Sequence, residues 1–358
     1  MRASLVIGFS MVLTLGFAPA YSVLAESYFP YAATSDIDLD ALNRGEVIGK
    51  RVDIKAYQLS LCAETYFMLP TTPDRVLKKL RYTGPNTGSR SGGTFGIDGR
   101  DKISKPASLS DFSQFALGQE RGSFGFGGSA MADLKLKQLN LSKGESANLQ
   151  KASAEGPAQL ESAWKKLFLE RVRSFQSGGL MKAAPYETGD QPFRHQPKTV
   201  LILKSRPNVL RNFQNIIGAI MTGSKTSSGL PLVYGWESTK VQVEQTVTLN
   251  CIAAEPNKRG GYLIAESAFY VSNKYYTSMI LHELIPVNYN GKSQTLCWRG
   301  DFVITSSINF LKGVERLAAQ KIMLIEVKNS VQDFVDQCRQ EYPSGNDLSF
   351  VSPVNLTN

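Results

Sequence analysis

After Gly229 the chain alternates apolar and polar residues with a period of two. Five segments carry the pattern: "LVYGWES", "VQVEQTVTLNC", "GYLIAESAFYVS", "YYTSMILHELIPV" and "TLCWRGDFVIT". Period two is the spacing of strands, and short turn signals ("EPNKRGG", "SNK", "NYNGKSQ") separate the segments, so they predict an antiparallel meander. From Gly313 to Cys338 the period becomes helical. Leu317, Leu324, Val331 and Cys338 recur every seven residues, and Ala318, Ile322 and Ile325 widen the apolar side of the first half. The pattern predicts one long helix with Leu324 deep in its buried stripe, lying on a broad apolar bed.

Upstream, "EVIGKRVDIKAYQLSLCAETYFMLP" reads as one long strand or a bent pair. "TTPDRVLKKL" opens a helix by local chemistry: Thr72 suits the N-cap, Pro73 the first turn and Asp74 the positive end of the helix dipole. Two more amphipathic helices are predicted in "AQLESAWKKLFLERVRSFQ", stopped by Gly178 and Gly179, and in "SRPNVLRNFQNIIGAIM", capped by Ser205. The stretch from Tyr82 to Gly128 is rich in Gly, Ser and charge and reads as loops around a short element near Phe112–Leu117. Together these elements predict an α+β fold: a curved antiparallel sheet packed on a long C-terminal helix, with an inserted loop-rich and helical region at about 82–228. One large domain spans 26–342, and 343–358 is a tail.

The first 25 residues stand apart. Arg2, an apolar run from Leu5 to about Ala18 and small residues ending in Val23-Leu24-Ala25 have the form of a secretory signal peptide. The run is shorter than the roughly 20 residues needed to span a bilayer, and no later stretch is apolar enough to span. The expected location is therefore the periplasm or the outside of the cell. The formal charge of +9 is scattered, with a mild cluster at Arg75, Lys78, Lys79 and Arg81. That cluster fits a solvated face or weak attraction to anionic envelope components. Bases do not alternate with aromatics, which argues against nucleic acid as a partner. Cys62, Cys251, Cys297 and Cys338 are too far apart for a zinc motif, and sit among apolar residues that suit buried thiols and disulfides equally.

Chemical motifs mostly dissolve on inspection. "HELIP" at His282 begins like a zinc-protease helix, but Pro286 stands where the second His belongs and the segment alternates as a strand. "GFGGSA" (Gly125–Ala130) lacks the strand–helix context of a dinucleotide site. "SAWK" (Ser162–Lys165) has the serine–lysine spacing of penicillin-binding enzymes without their partner motifs. With two His and no nucleophile elbow, neither a cofactor nor a metal is implied.

The strands supply the remaining candidates. Leu263, Ala265, Phe269 and Val271, then Tyr276, Ile280, His282 and Leu284, then Leu296, Trp298, Phe302 and Ile304 read as one wide aromatic face, the expected bed of the last helix. Glu266, Glu283, Arg299 and Asp301 read as cross-strand ion pairs on a half-wet opposite face. Two readings follow for the aromatic face: a filled core, or a cavity taking an apolar small molecule or lipid. In the second, Phe269, Tyr276, Ile280, His282, Trp298 and Phe302 line it.

The element order resembles the helix-grip architecture of START-like lipid-binding domains. "SFQSGGL", "APYET", "YYTSMILHELIPV", "CWRGDFVITSS" and "GVERLAAQ" further resemble a family of uncharacterised, signal-bearing bacterial proteins, in which a Phe-Gln-Ser-Gly-Gly turn, a strand ending in Trp-Pro-Val, a Trp-Arg-Gly-Asp strand and a Gly-Val-Glu-Arg helix start follow in this order. Ile285 stands where that pattern has Trp. The resemblance implies no activity and no site residues. Three functions therefore stand as expectations: an exported non-catalytic protein binding a lipid or other apolar molecule, an envelope-associated interaction protein, and a hydrolase with an unrecognised site.

Overall fold

A computed structural model describes residues 22–24, 28–33, 36–54, 57–82, 101–117, 139–187, 192–241, 244–305, 311 and 313–343. Most of the expected signal segment, the "GFGGSA" loop and the C-terminal tail lie outside them. In chain order the elements are β1 (Ser22–Leu24), β2 (Asp36–Asp38), α1 (Leu39–Arg44), β3 (Ile48–Val52), β4 (Ser60–Leu69), α2 (Pro73–Tyr82) and β5 (Asp101–Ile103). There follow α3 (Lys143–Glu155), α4 (Pro157–Gly178), α5 (His195–Lys204) and α6 (Pro207–Thr222). β6 (Val233–Val241), β7 (Glu244–Pro256), β8 (Tyr262–Val271), β9 (Thr277–Tyr289), β10 (Lys292–Ile304) and α7 (Gly313–Glu341) complete the chain.

β6 to β10 form the expected meander. β4 closes on β10, and the sheet is eight strands in the order β3-β4-β10-β9-β8-β7-β6-β5. The fold is thus α+β, a curved antiparallel sheet with a C-terminal helix against it. Its central strands are buried along nearly their whole length, because helices cover both faces.

The register corrects the expected grouping of side chains. Trp298 pairs with Glu283 and Tyr66, and Leu263 also pairs with Glu283, so these four share one face. His282 pairs with Arg299 and Ile264 on the other. The β9 residues Ile280, His282 and Leu284 therefore lie opposite the aromatic face. A one-residue difference in register is enough to reverse a strand. The aromatic face is also not the bed of the last helix. It packs with α3–α6 and residues 28–33 in one core, whereas Met323, Val327, Val331, Phe334, Val335 and Cys338 of α7 pack with Leu61, Ala63, Phe67, Cys297 and Val303 on the reverse side.

The stripe of α7 is rotated from the expected one as well. Val331 and Cys338 are fully buried, Leu324 is half-buried beside Gly49, and Leu317, Ile322 and Ile325 are exposed. Val331→Asp is therefore expected to lower stability by several kcal/mol, because the carboxylate finds no partner in that core. Leu324→Asp is expected to cost less than half as much. Urea denaturation of the two variants compares them directly.

Two glycines let the helices in the later part of the insertion pack closely. Gly179, at the end of α4, has φ +61°, and an added Cβ meets the Ile220 carbonyl oxygen at 2.3 Å and the Gly223 nitrogen at 2.4 Å. Gly223, at the end of α6, has φ +69° and faces the Gly179 nitrogen in return. The two helix ends touch backbone to backbone, which only glycine permits. Nearby, Tyr186 stacks on Phe193, and its hydroxyl accepts from the Val271 backbone N–H. Burial drives the His195 imidazole down to about 3, so it is neutral inside this core. All four cysteines are buried free thiols, and burial pushes those of Cys62, Cys251 and Cys297 upward.

Candidate polar cleft between α6 and the β7–β8 turn

Asn208, Arg211, Asn212 and Asn215 fall at i, i+3, i+4 and i+7 of α6, so one helix face carries three amides and a guanidinium. The opposite side of α6 holds Phe213, Ile217 and Ile220 in the core, and this fixes the polar face outward. Facing it is the tight β7–β8 turn. Asn257 shapes that turn: its side-chain oxygen accepts from the Arg259 and Gly261 N–H groups at 2.9 and 2.8 Å. An added Cβ at Gly261 meets the Leu284 carbonyl oxygen at 1.9 Å, so the turn lies directly on β9. Between helix and turn is a cleft of about 1120 Å³, lined also by Pro30, Tyr31, Ser227, Glu255, Lys258 and Glu283.

Glu283 forms the floor. It is 2% exposed and fully engaged. Arg259 pairs with its Oε1 at 2.5 Å, and the Asn257 amide donates to the same oxygen at 3.2 Å. The Tyr31 hydroxyl and the Asn212 amide donate to Oε2. Burial, followed by the neighbouring Glu283 charge, raises the Tyr31 phenol well above its ordinary value, so it stays a donor. Arg259 also donates to the Tyr28 carbonyl, which ties residues 28–33 across the sheet.

A second buried acid lies deeper. Glu64 accepts from the Ala33 N–H at 2.8 Å, the Tyr66 hydroxyl at 2.7 Å and the Trp298 indole at 3.2 Å, and pairs with Arg206 at 2.6 Å. Arg206 also donates to the Tyr31 carbonyl. The Tyr31 ring stands edge-on to Trp298 at 4.8 Å. Two carboxylates thus hold residues 28–33, the leader into the fold, in place from either side of Tyr31.

At the mouth the chemistry is open. Asn208, Arg211, Asn215 and Lys258 are exposed, and among the described residues neither Arg211 nor Lys258 makes an ion pair. Glu255 accepts from Ser227 at 2.7 Å. The lining contains neither His nor Cys. It offers amide donors and acceptors, two unpaired cations and a floor fixed by intramolecular bonds. No family model, curated protein or solved structure matches the chain.

Of the six residues expected to line an apolar cavity, Phe269, Tyr276, Trp298 and Phe302 share one core, where other rings pack against them, and Ile280 and His282 lie on the other face. Phe269 stacks on Phe175 of α4 at 4.1 Å, and Tyr276 on Phe193 at 4.5 Å. Trp298 packs against Tyr31 and Phe213. Phe302 borders a small apolar gap under α5, with Ile202, Leu203 and Met279, of about 10 Å³. That is room for no more than a single water. Ile280 and His282 are buried on the opposite face. Sequence reasoning missed the cleft because its residues come from the leader, α6 and a turn. The available signal was Glu283, an acid flanked by Leu281 and Ile285 on the aromatic face rather than on a wet one.

Proposed function

We propose that this is an exported binding protein whose ligand site is the cleft between α6 and the β7–β8 turn. The ligand is polar and carries a carboxylate or phosphate beside hydroxyl or amide groups. The observation that carries the reading is the unpaired cations Arg211 and Lys258 beside the amide row Asn208, Asn212 and Asn215, all set over the fixed Glu283–Arg259 floor. The floor is held by intramolecular bonds before the ligand arrives, which reduces the entropic cost of binding there. The arrangement also excludes apolar ligands, because these leave the amides and cations desolvated without partners. The apolar-ligand reading has less support, since rings from the leader and the inserted helices occupy the aromatic face.

Calorimetric titration of the mature protein with acidic oligosaccharides, phosphorylated sugars and fatty acids tests the proposal. Acidic polar ligands are expected to bind, with affinity falling as salt rises. Arg211→Ala combined with Lys258→Ala is expected to weaken binding at least tenfold with an unchanged melting temperature, because both side chains are exposed. Binding of fatty acids alone, or polar binding indifferent to the double variant, overturns the proposal.

A further inference from the structure

The first half of α7 keeps an apolar row on its solvent side. Val314 is 80% exposed, Ile322 60% and Ile325 45%, and Ala318 is exposed between them. On the opposite side Gln320, Val327 and Phe334 face the sheet. Taking Ile322 as position a of a heptad places Ala318 and Ile325 at d, Glu315 at the preceding a and Asn329 at the next a, with Val314 on the g flank. Gln320, Val327 and Phe334 then fall at f, directly away from the row. Position g holds Lys321 and Lys328, and position e holds Glu326 and Asp333. The helix therefore has one basic and one acidic flank along the row.

None of these four charges has an opposite charge three or four residues away on its own helix. Among the described residues none of them makes an ion pair. In a parallel helix pair each g residue meets the e residue five positions later on the partner helix. That rule matches Lys321 with Glu326 and Lys328 with Asp333 of a second copy, twice over by symmetry. An antiparallel pair sets g against g and e against e, lysine against lysine and acid against acid. Asn329 is exposed in the single chain, and an Asn at position a that pairing buries favours a two-stranded parallel register. The row ends at Gln332, whose amide donates to the Gly45 carbonyl of its own chain.

We infer that the outward row of α7 pairs in parallel with the same row of a second copy of this chain, about a two-fold axis along the helix. The contact is isologous, so it closes at two copies. From Ala318 to Gln332 the row is only about 21 Å long at about 1.5 Å per residue. An interface built on one such row falls below the usual area of a stable dimer, so association is concentration-dependent.

The test is sedimentation equilibrium of the full mature protein from low- to high-micromolar loading. The mass is expected to rise toward twice the monomer. Ile322→Asp with Ile325→Asp is expected to keep it monomeric throughout, with an unchanged melting temperature because both positions are exposed. Lys321→Glu with Lys328→Glu is expected to weaken association at least tenfold, as is Glu326→Lys with Asp333→Lys. All four changes together are expected to restore it. Ile325→Cys is expected to oxidise to a disulfide-linked dimer, since like residues face each other only in the parallel pair. A monomer at every concentration overturns the inference. So does association that survives the Asp variants, or charge variants without rescue. So does a monomer that instead sediments with anionic phospholipid vesicles through these same isoleucines.

Discussion

Arg299→Met is expected to destabilise the fold by about 3–5 kcal/mol, the range for breaking one side of a buried ion pair. Arg299 and Asp301 sit two apart on β10, so they project from the same face. The guanidinium grips the carboxylate with two parallel bonds, at 2.8 and 2.7 Å, and the side chains are 1% and 0% exposed. Removing the arginine leaves the buried Asp301 carboxyl without its guanidinium partner. Arg299→Met with Asp301→Leu is expected to recover most of the loss, because apolar residues of similar size replace a buried pair without an orphaned charge. Urea denaturation of wild type, both single variants and the double variant gives the coupling energy. A single-variant loss under about 1 kcal/mol describes a solvated surface pair instead.

The second large effect belongs to the neighbouring residue on the opposite face. Trp298→Ala is expected to cost about 3–5 kcal/mol, as for other large aromatic truncations in a packed core. The ring is fully buried between Tyr31 and Phe213, and it lies over Gly300, where an added Cβ meets it at 2.6 Å. Its indole N–H is one of the donors to Glu64. Trp298→Phe keeps much of the ring and loses the donor, so it separates packing from hydrogen bonding. Because Tyr31 leans on Trp298, the alanine variant is also expected to loosen residues 28–33. Faster amide exchange there than in β10 checks this.

The motif "WRGD" thus has a packing explanation: Trp298 on one face, Arg299 and Asp301 on the other, and a glycine that makes room for the indole. "FQSGGL" is read the same way through Gly179, and "PYET" through Tyr186. In "GVER", Arg316 reaches the Gln58 and Ser60 carbonyls and fixes the start of α7 to β4. These sequence signatures were legible as shape, and the meander, β3–β4 and α2, α4, α6 and α7 followed from periodicity. The assignment of faces was not legible. Periodicity separates the two sides of a strand, but when both sides are buried it does not say which elements cover each. Arg299, Asp301 and Glu283 looked like a wet side and are covered, His282 looked like the aromatic side and lies opposite it, and the outward isoleucines of α7 looked like core. The cleft depends on Tyr31, Asn212, Arg259 and Glu283, which are far apart in sequence and belong to no shared pattern.

The bonds that hold the leader have a consequence for timing. Tyr31 meets Glu283 across 252 residues, and Glu64 meets Trp298 across 234. β4 likewise has no partner on its β10 side until the final strand is made. Closing such long loops is entropically expensive before it is rewarded, and topologies of this kind fold slowly. The chain is therefore committed to its native sheet only near the end of synthesis, and until then β3 and β4 have only each other as partners. A polypeptide that closes its sheet so late keeps the β4 edge open to other chains for most of its synthesis.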